Sequence, residues 1–310
     1  KLRNWYSTTK SVTSILIGIA IQNGFIDNVS QTFFEFFPEK WNSSYDPRKQ
    51  DITIEHLLTM TSGVPWEVAN SVPWWFSYYS APNYIDSVLE LDLLNDPGDP
   101  FIDGSGQYST DATNLLTAVI NRSTGLYPED FAKQYLFEPL GIPDEDWGWY
   151  KDNEGINWGG TGLCMNRTSM AKIAYLSLRE GNWDGTQILS QEYIQKATTD
   201  FDGMISEVYQ PYGYSFWLNN YTSNISWYFA SGAFGQNFYV IPELDLIVLF
   251  NAYSTTGTNQ TQILTDYIIA SIIIEEAEAG APQIPGYEPL IVIGATIIAY
   301  IGVVVVKKKK

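Results

Sequence analysis

The residues best suited to chemistry lie near the start of the chain, where Ser7-Thr8-Thr9-Lys10 places a lysine three positions after a serine. Residues three apart share one face of a helix, so the Lys10 amine can reach the Ser7 hydroxyl. A serine hydroxyl needs an activating base to become a nucleophile, and burial or nearby positive charge can lower the pKa of a lysine enough for its neutral amine to serve. The spacing therefore predicts a nucleophilic serine with a lysine as its base.

Histidine, the more usual base, is almost absent, because His56 is the only one in 310 residues. A Ser-His-Asp triad would have to be built on it. We instead expect a packed, hydrogen-bonded histidine in a structural helix. The sequence shows no His/Cys cluster with zinc-ligand spacing and no D-x-[DN]-x-[DN]-G calcium loop. We predict no metal site and no cofactor.

A helix has to position Ser7 and Lys10, and the sequence predicts one directly after them. Gly24, following Gln22-Asn23, is a typical C-terminal stop. Ser7 then lies at the N-terminus, where unpaired N–H groups and the helix dipole favour developing negative charge. Serine is also a favoured N-cap, so the motif alone leaves a purely structural role open. The apolar side chains at helical spacing are Val12, Ile15, Leu16, Ile19 and Ala20.

Several further segments follow in a recognisable order. The segments are YSTTKSVT at 6–13, ITIEHLLTMTSG at 52–63, YST at 108–110, GGTGL at 159–163, YGYSFW at 212–217 and ASGAFGQ at 230–236. In this order they resemble the serine β-lactamase and penicillin-binding-protein superfamily over roughly residues 3–255. The likeness is greatest to the class C branch, which also holds esterases, D-aminopeptidases and amide-oligomer hydrolases.

The resemblance implies a role for each matching residue. Ser7 would be the acylated nucleophile, and Lys10 would take or relay its proton. Tyr108 would be the partner acid/base that passes the proton to the leaving group. The backbone N–H groups of Ser7 and Ala233 would form the oxyanion hole, and Thr110, Ser231 and Gly232 would contact the substrate.

Two departures from the family pattern limit the substrate. Thr110 stands where the second motif has asparagine, and Ala230-Ser231-Gly232 stands where true β-lactamases have Lys-Thr-Gly. No cation occupies the position that would bind a substrate carboxylate. We therefore expect hydrolysis of an ester or amide with an uncharged acyl group. A D-amino-acid peptidase or weak β-lactamase, and a non-catalytic surface-binding relic of the fold, stay open as alternatives.

The composition limits the classes of molecule that the protein could bind. The formal net charge of −18 is spread along the chain and excludes a nucleic-acid partner, which would need a basic surface. A small-molecule ester, amide or peptide is the expected partner. The aromatic segment 73–79 falls before Tyr108 and fits either an apolar wall of the site or core packing. Cys164 is the only cysteine, so no intrachain disulfide can form.

The C-terminal end predicts a membrane anchor. Residues 290–306 are uncharged and strongly apolar, and four lysines follow at 307–310. We predict a hydrolase domain over 1–274, a linker over 275–289, a transmembrane helix over 290–306 and a cytoplasmic basic end. The catalytic domain would then lie outside a cell membrane crossed once. Glycosylation sequons agree with that placement and occur at Asn28, Asn42, Asn121, Asn166, Asn220, Asn224 and Asn259.

The expected fold is of the α+β type. The family fold is an antiparallel sheet flanked by helices, with a mostly helical subdomain between the nucleophile helix and the late strands. Most helices should lie between 11 and about 185, and the family's first strands, which precede the nucleophile, are expected to be missing from this chain. The predicted late strands are 212–218, 227–231, 237–241 and 246–251, the last two forming a hairpin through 242–245.

Overall fold

The computed structural model describes residues 1–66, 83–102, 107–199, 211–221, 225–251 and 302–307. The predicted segment 73–79 therefore lies outside the described residues, as does most of 252–310. Within these ranges the α-helices are α1 (Thr9–Gln22), α2 (Phe33–Phe36), α3 (Ile54–Thr59), α4 (Tyr84–Leu89), α5 (Thr110–Thr124), α6 (Pro128–Ala132), α7 (Arg167–Leu178) and α8 (Gln191–Ala197). Short 3₁₀ turns cover Tyr6–Thr8, Pro38–Lys40, Pro47–Asp51, Asp144–Asp146 and Pro242–Leu244.

Among the described residues, the strands form one large sheet and two small ones. They are β1 (Arg3–Asn4), β2 (Trp147–Trp149), β3 (Leu163–Met165), β4 (Asn182–Trp183), β5 (Thr186–Gln187), β6 (Trp217–Tyr221), β7 (Ile225–Gly232), β8 (Gln236–Ile241), β9 (Leu246–Asn251) and β10 (Gly302–Lys307). The large sheet has the order β10-β9-β8-β7-β6 and every neighbouring pair is antiparallel. Two small antiparallel sheets, β1-β3-β2 and β4-β5, were not predicted. The expected antiparallel sheet flanked by helices is confirmed.

Successive side chains of the central strands point to opposite faces of the sheet, so the buried residues form one cluster on each face. Ala230, Phe238 and Leu249 lie on the face that joins the main core with α1 and α7. Trp227, Tyr239 and Val248 belong to a second buried cluster. Burial on both faces explains why β8 and β9 are almost continuously apolar rather than alternating with polar residues.

Helix α1 forms as predicted and is buried from Thr9 to Ala20. It ends at Gln22, and Gly24 follows with a positive φ of 73°. A 14-residue helix rich in β-branched isoleucine is only marginally stable by itself. Packing against α5 and the sheet must therefore stabilise it. The same packing fixes the positions of Lys10 and of the turn that carries Ser7.

The late strands agree with the sequence except for the first. The β8–β9 hairpin turns through Pro242–Leu244 as predicted, with Asp245 left-handed at a φ of 49°. The predicted strand at 212–218 is wrong for its first five residues, because regular pairing to β7 begins at Trp217. Ser215 has a φ of 60°, and its N–H donates to Leu58 O, so this stretch binds to the end of α3 instead.

The predicted transmembrane helix is only partly covered by the described residues. Residues 302–306, its last five, form strand β10 beside β9 rather than helix, so that part of the prediction is wrong. Four consecutive valines at 303–306 favour an extended backbone, because β-branched side chains fit a pleated surface. Within the described residues, no helix combines the length and apolar character that a membrane span needs. The domain boundaries and the cell-surface location stay predictions.

Candidate active site

Ser7 lies in the 3₁₀ turn that leads into α1, and its side chain is half-buried. The turn is anchored by Trp5, which is fully buried. The Trp5 indole N–H donates to Met165 O at 2.9 Å, and its backbone N–H donates to Leu163 O at 2.9 Å. Strand β3 therefore fixes the start of the turn that carries the serine.

Lys10 lies one turn further along and is almost completely buried, at 1% exposure. Its Nζ donates to Gly160 O at 2.8 Å, to Thr110 Oγ1 at 2.9 Å and to Ser7 Oγ at 3.3 Å. Burial lowers the pKa of Lys10 to about 7, although the nearby Asp111 charge acts to raise it. The amine is thus neutral in a large fraction of molecules near neutral pH, as a base for Ser7 requires.

The three partners of Lys10 also set the direction of its lone pair. A neutral amine has two N–H donors and one lone pair. The two shorter bonds, to Thr110 and Gly160, use the donors. The lone pair is then left for the Ser7 hydroxyl. When the amine is neutral, the 3.3 Å contact is therefore one in which Ser7 Oγ donates to Lys10 Nζ.

Tyr108 is brought to the same place by α5. Ser109 is the N-cap of this helix: its hydroxyl accepts from Ala112 N at 3.0 Å and donates to Pro65 O at 3.1 Å. The residue before the cap is thereby fixed, and the Tyr108 ring lies with its centroid 4.8 Å from Lys10 Nζ. Trp217 stacks on Tyr108 with ring centroids 5.7 Å apart. The structure brings together the three residues predicted to act on protons.

The end of β7 and the start of β8 pack closely against the segment that carries Ser7. Gly232 lies so close to it that an added Cβ would sit 2.2 Å from Trp5 O and 3.0 Å from Thr8 Oγ1. The Thr8 hydroxyl in turn donates to Gln236 O. Among the described residues, no protein acceptor takes the backbone N–H of Ser7 or of Ala233. Their role as the two donors of an oxyanion hole stays a prediction.

Of the predicted substrate contacts, Thr110 has a different observed role. Its side chain is 3% exposed, and its hydroxyl oxygen accepts from Lys10. Gly232 is also buried, and its N–H donates to Asn237 Oδ1 at 3.1 Å. Ser231 is half-buried and shares a face of β7 with Phe229, which pairs with Trp217. Contact of all three with a substrate stays a prediction.

His56 takes a structural position in the capping box of α3. Its Nδ1 accepts from the Thr53 N–H at 3.3 Å, and its own N–H donates to Thr53 Oγ1 at 3.1 Å. Because Nδ1 accepts from the backbone, the neutral ring carries its proton on Nε2 and has no lone pair left to act as a base. Across the described residues there is no group of histidine, cysteine, aspartate and glutamate that could hold a metal ion.

Sequence reasoning missed a buried polar network behind Lys10. Asp111 is completely buried and accepts a hydrogen bond from the Tyr84 hydroxyl. Asn114 donates to the same hydroxyl at 2.8 Å and accepts from Gly160 N at 2.8 Å. Asp111 and Asn114 lie two and five residues after Ser109, on the buried side of α5. An aspartate and an asparagine so close to the Tyr108-Ser109-Thr110 motif were the available signal.

A family comparison agrees with this geometry. The beta-lactamase family model matches residues 2–271. The chain belongs to the beta-lactamase family. The resemblance read from the ordered motifs is confirmed, and it extends over nearly the whole chain.

Individual members of the beta-lactamase family match at low identity. The 6-aminohexanoate-dimer hydrolase of Paenarthrobacter ureafaciens is 23% identical over 274 residues, which cover 78% of this chain and 64% of that hydrolase. The ML-236A carboxylate methylbutanoyltransferase of Penicillium citrinum is 28% identical over 157 residues, covering 44% of this chain and 35% of the transferase. The chain therefore spans less than two thirds of the length of these curated relatives.

A solved structure shows the same fold. A Bacillus anthracis protein assigned as a 6-aminohexanoate-dimer hydrolase superposes with a TM-score of 0.71 at 18% identity, over 91% of this chain and 74% of that one. At this identity the likeness concerns the fold alone.

Proposed function

We propose that this chain is a serine hydrolase that cleaves an ester or an amide through an acyl-enzyme on Ser7. The observation that carries the proposal is the buried Lys10 amine, hydrogen-bonded to Ser7 and held by two further acceptors. A lysine that is removed from water and has a pKa of about 7 is suited to proton transfer at neutral pH.

The proposed reaction has two halves. Lys10 takes the Ser7 proton while Ser7 Oγ forms a bond to the acyl carbon, and the acyl oxygen becomes an anion between the N–H groups of Ser7 and Ala233. The bond to the leaving group then breaks, and the leaving group takes the proton from Lys10 through Tyr108. Water repeats the sequence on the acyl-enzyme: its proton passes to the base, its oxygen joins the acyl carbon, and Ser7 leaves with its proton restored.

The surroundings of Ser7 favour an uncharged acyl group. Ala230, which replaces the lysine of true β-lactamases, is fully buried and paired with Phe238. Tyr108 packs with Trp217, Tyr212 and Trp66 in an aromatic cluster beside the base. Aromatic rings bind apolar groups well and give no charge to pair with a carboxylate. These features support an ester or amide substrate over a β-lactam or a peptide with a free carboxylate.

Acyl transfer is the second candidate, because one of the matching relatives is named a methylbutanoyltransferase. The same acyl-enzyme would form, and an alcohol rather than water would accept the acyl group. Measuring product ratios from a butyrate ester with and without an added alcohol separates the two. Ester product in excess of acid would favour transfer.

The decisive experiment labels the protein with a fluorophosphonate and locates the adduct by mass spectrometry. Wild type should gain a single adduct on Ser7, since the phosphonate mimics the acyl intermediate. Ser7→Ala should lose both the label and ester hydrolysis, the latter by roughly 10⁴-fold or more, because the nucleophile is gone.

Ser11→Ala is the matched control for this experiment. Ser11 lies on the same helix, but its buried hydroxyl donates to Ser215 O and points away from the proposed chemistry. This variant should label like wild type. A label that persists in Ser7→Ala, or a folded wild type that never labels while a small substrate is also left intact, contradicts the proposal. A panel of short esters, 6-aminohexanoate dimer, D-amino amides and a cephalosporin would then define the preferred bond.

A further inference from the structure

A chain of buried hydrogen bonds runs behind the proposed base. Asp111 accepts from the Tyr84 hydroxyl, and that hydroxyl accepts from Asn114 Nδ2 at 2.8 Å. Asn114 Oδ1 accepts from Gly160 N at 2.8 Å, and Gly160 O accepts from Lys10 at 2.8 Å. Each member therefore fixes the next, from the carboxylate of Asp111 to the amine of Lys10.

The fold allows little freedom in this chain. Gly160 lies against the first turn of α5, where an added Cβ would come within 2.6 Å of Thr110 Cγ2 and 2.8 Å of Thr110 O. Thr13 Oγ1 also donates to Gly159 O at 2.8 Å, which ties the same loop to α1. The Gly160 carbonyl is thus held between the two helices that carry Lys10 and Asp111.

Asp111 is a carboxylate in a position where a charge needs compensation. An ionised carboxylate is costly to bury unless it is paired or well hydrogen-bonded. Asp111 is completely buried, and its charge acts on the Lys10 amine. Its position in the first turn of α5 suits a negative charge, because the helix dipole is positive there.

We propose that Asp111 is a positioning residue for Lys10, acting through Tyr84 and Asn114 on the Gly160 carbonyl and through its charge on the amine. This inference rests on the proposed function. A lysine base must release a proton to the leaving group as well as take one from Ser7. Without a nearby negative charge, desolvation alone would leave the amine neutral but a weak base.

The groups that face Lys10 come from each element packed against it. Tyr108 and Asp111 face it from α5 and its cap, Ser7 from the 3₁₀ turn, and the uncharged Gly160 carbonyl from the loop before β3. Among the described residues, Asp111 is the charged group that raises the pKa of the amine, so removing its charge should lower that pKa.

The test is the pH dependence of Ser7 labelling by a fluorophosphonate in Asp111→Asn. Loss of the negative charge should move the acidic limb of the labelling rate to lower pH by half a unit or more. The plateau rate at alkaline pH should fall about threefold to tenfold, because a base of lower pKa is weaker. A merely structural role would lower the active fraction without moving the limb.

Glu55→Gln is a closely matched control. Glu55 is the second residue of its helix, as Asp111 is of α5, and it too accepts a hydrogen bond from a tyrosine, Tyr214. Within the described part of the chain, Glu55 makes no hydrogen bond or ion pair with Lys10. Its pH profile should match wild type.

Tyr84→Phe covers the case in which Asp111→Asn does not fold. It keeps the carboxylate but breaks the chain to Asn114, so labelling should slow several-fold with the limb near its wild-type position. An unshifted limb in folded Asp111→Asn, or a wild-type rate in Tyr84→Phe, overturns the inference while Ser7 labelling still stands. A wild type that fails to label at any pH overturns the proposed function and this inference together.

Discussion

At the scale of single residues, the site depends on which acceptors hold the Lys10 amine. The family motif offers a side-chain amide at position 110, and this chain offers the hydroxyl of Thr110 instead. The oxygen of that hydroxyl still accepts from Lys10 at 2.9 Å, so the exchange keeps the acceptor and removes only the amide donors. The departure therefore alters what a substrate can meet more than it alters the base.

Thr110→Val tests this acceptor with almost no change of volume. We expect one N–H of the buried amine to lose its partner, which should destabilise the protein by about 1–3 kcal/mol. Labelling of Ser7 should also slow, because the lone pair of Lys10 is no longer directed. Thr110→Ser, which keeps the hydroxyl, should restore most of the rate. Chemical denaturation and labelling kinetics measure both effects, and equal rates in Thr110→Val and wild type would contradict the assignment.

At the scale of elements, α3 shows how the lone histidine is used. Thr53 and His56 cap the helix reciprocally, and the neutral ring accepts a backbone N–H. Burial lowers the pKa of His56, while the nearby carboxylates of Glu55 and Asp51 act to raise it. The folded protein thus prefers the neutral ring more strongly than the unfolded chain does.

This capping predicts a stability change with pH. Because the folded pKa lies below the unfolded value of about 6.5, the contribution of His56 is fully present above that pH. It should be lost as the pH falls through the folded pKa. Comparing the free energy of unfolding of wild type and His56→Gln between pH 5 and 7.5 isolates this contribution, since the glutamine side chain does not titrate. Parallel curves for the two proteins would show that the ring takes no part.

The sequence predicted the elements whose signals are local. The apolar period and Gly24 located α1, and the turn residues at 242–245 located the β8–β9 hairpin. It failed where long-range contacts decide the backbone, as at Ser215, whose N–H binds Leu58 O across the fold. The site divides in the same way. Ser7, Lys10 and Tyr108 are found from motifs, whereas the link from Asp111 to Gly160 exists only once α4, α5 and the loop before β3 meet.

At the scale of the whole molecule, the chain buries a charge-bearing base at a cost to its stability. The pKa of Lys10 falls from about 10.5 in the unfolded chain to about 7 in the fold. Between these values the unfolded chain holds a proton that the folded protein has released, so stability rises with pH across this window. Below about pH 7 the folded protein must bury the charged form, and the full penalty applies. The proposed base therefore opposes folding at the neutral pH where the proposed reaction would use it.

Lys10→Met should therefore raise the thermal midpoint at pH 7 while abolishing Ser7 labelling. We expect a gain of a few kcal/mol, because methionine fills a similar volume without a polar head. The gain should shrink as the pH rises towards 10, where the unfolded lysine also loses its proton. Lys49→Met is the matched control: Lys49 is a second buried lysine with a lowered pKa, and its Nζ donates to Leu89 O, outside the candidate site. It should shift stability in the same direction and leave labelling intact. If Lys10→Met is less stable than wild type at pH 7, the amine contributes more to folding through its hydrogen bonds than its burial costs.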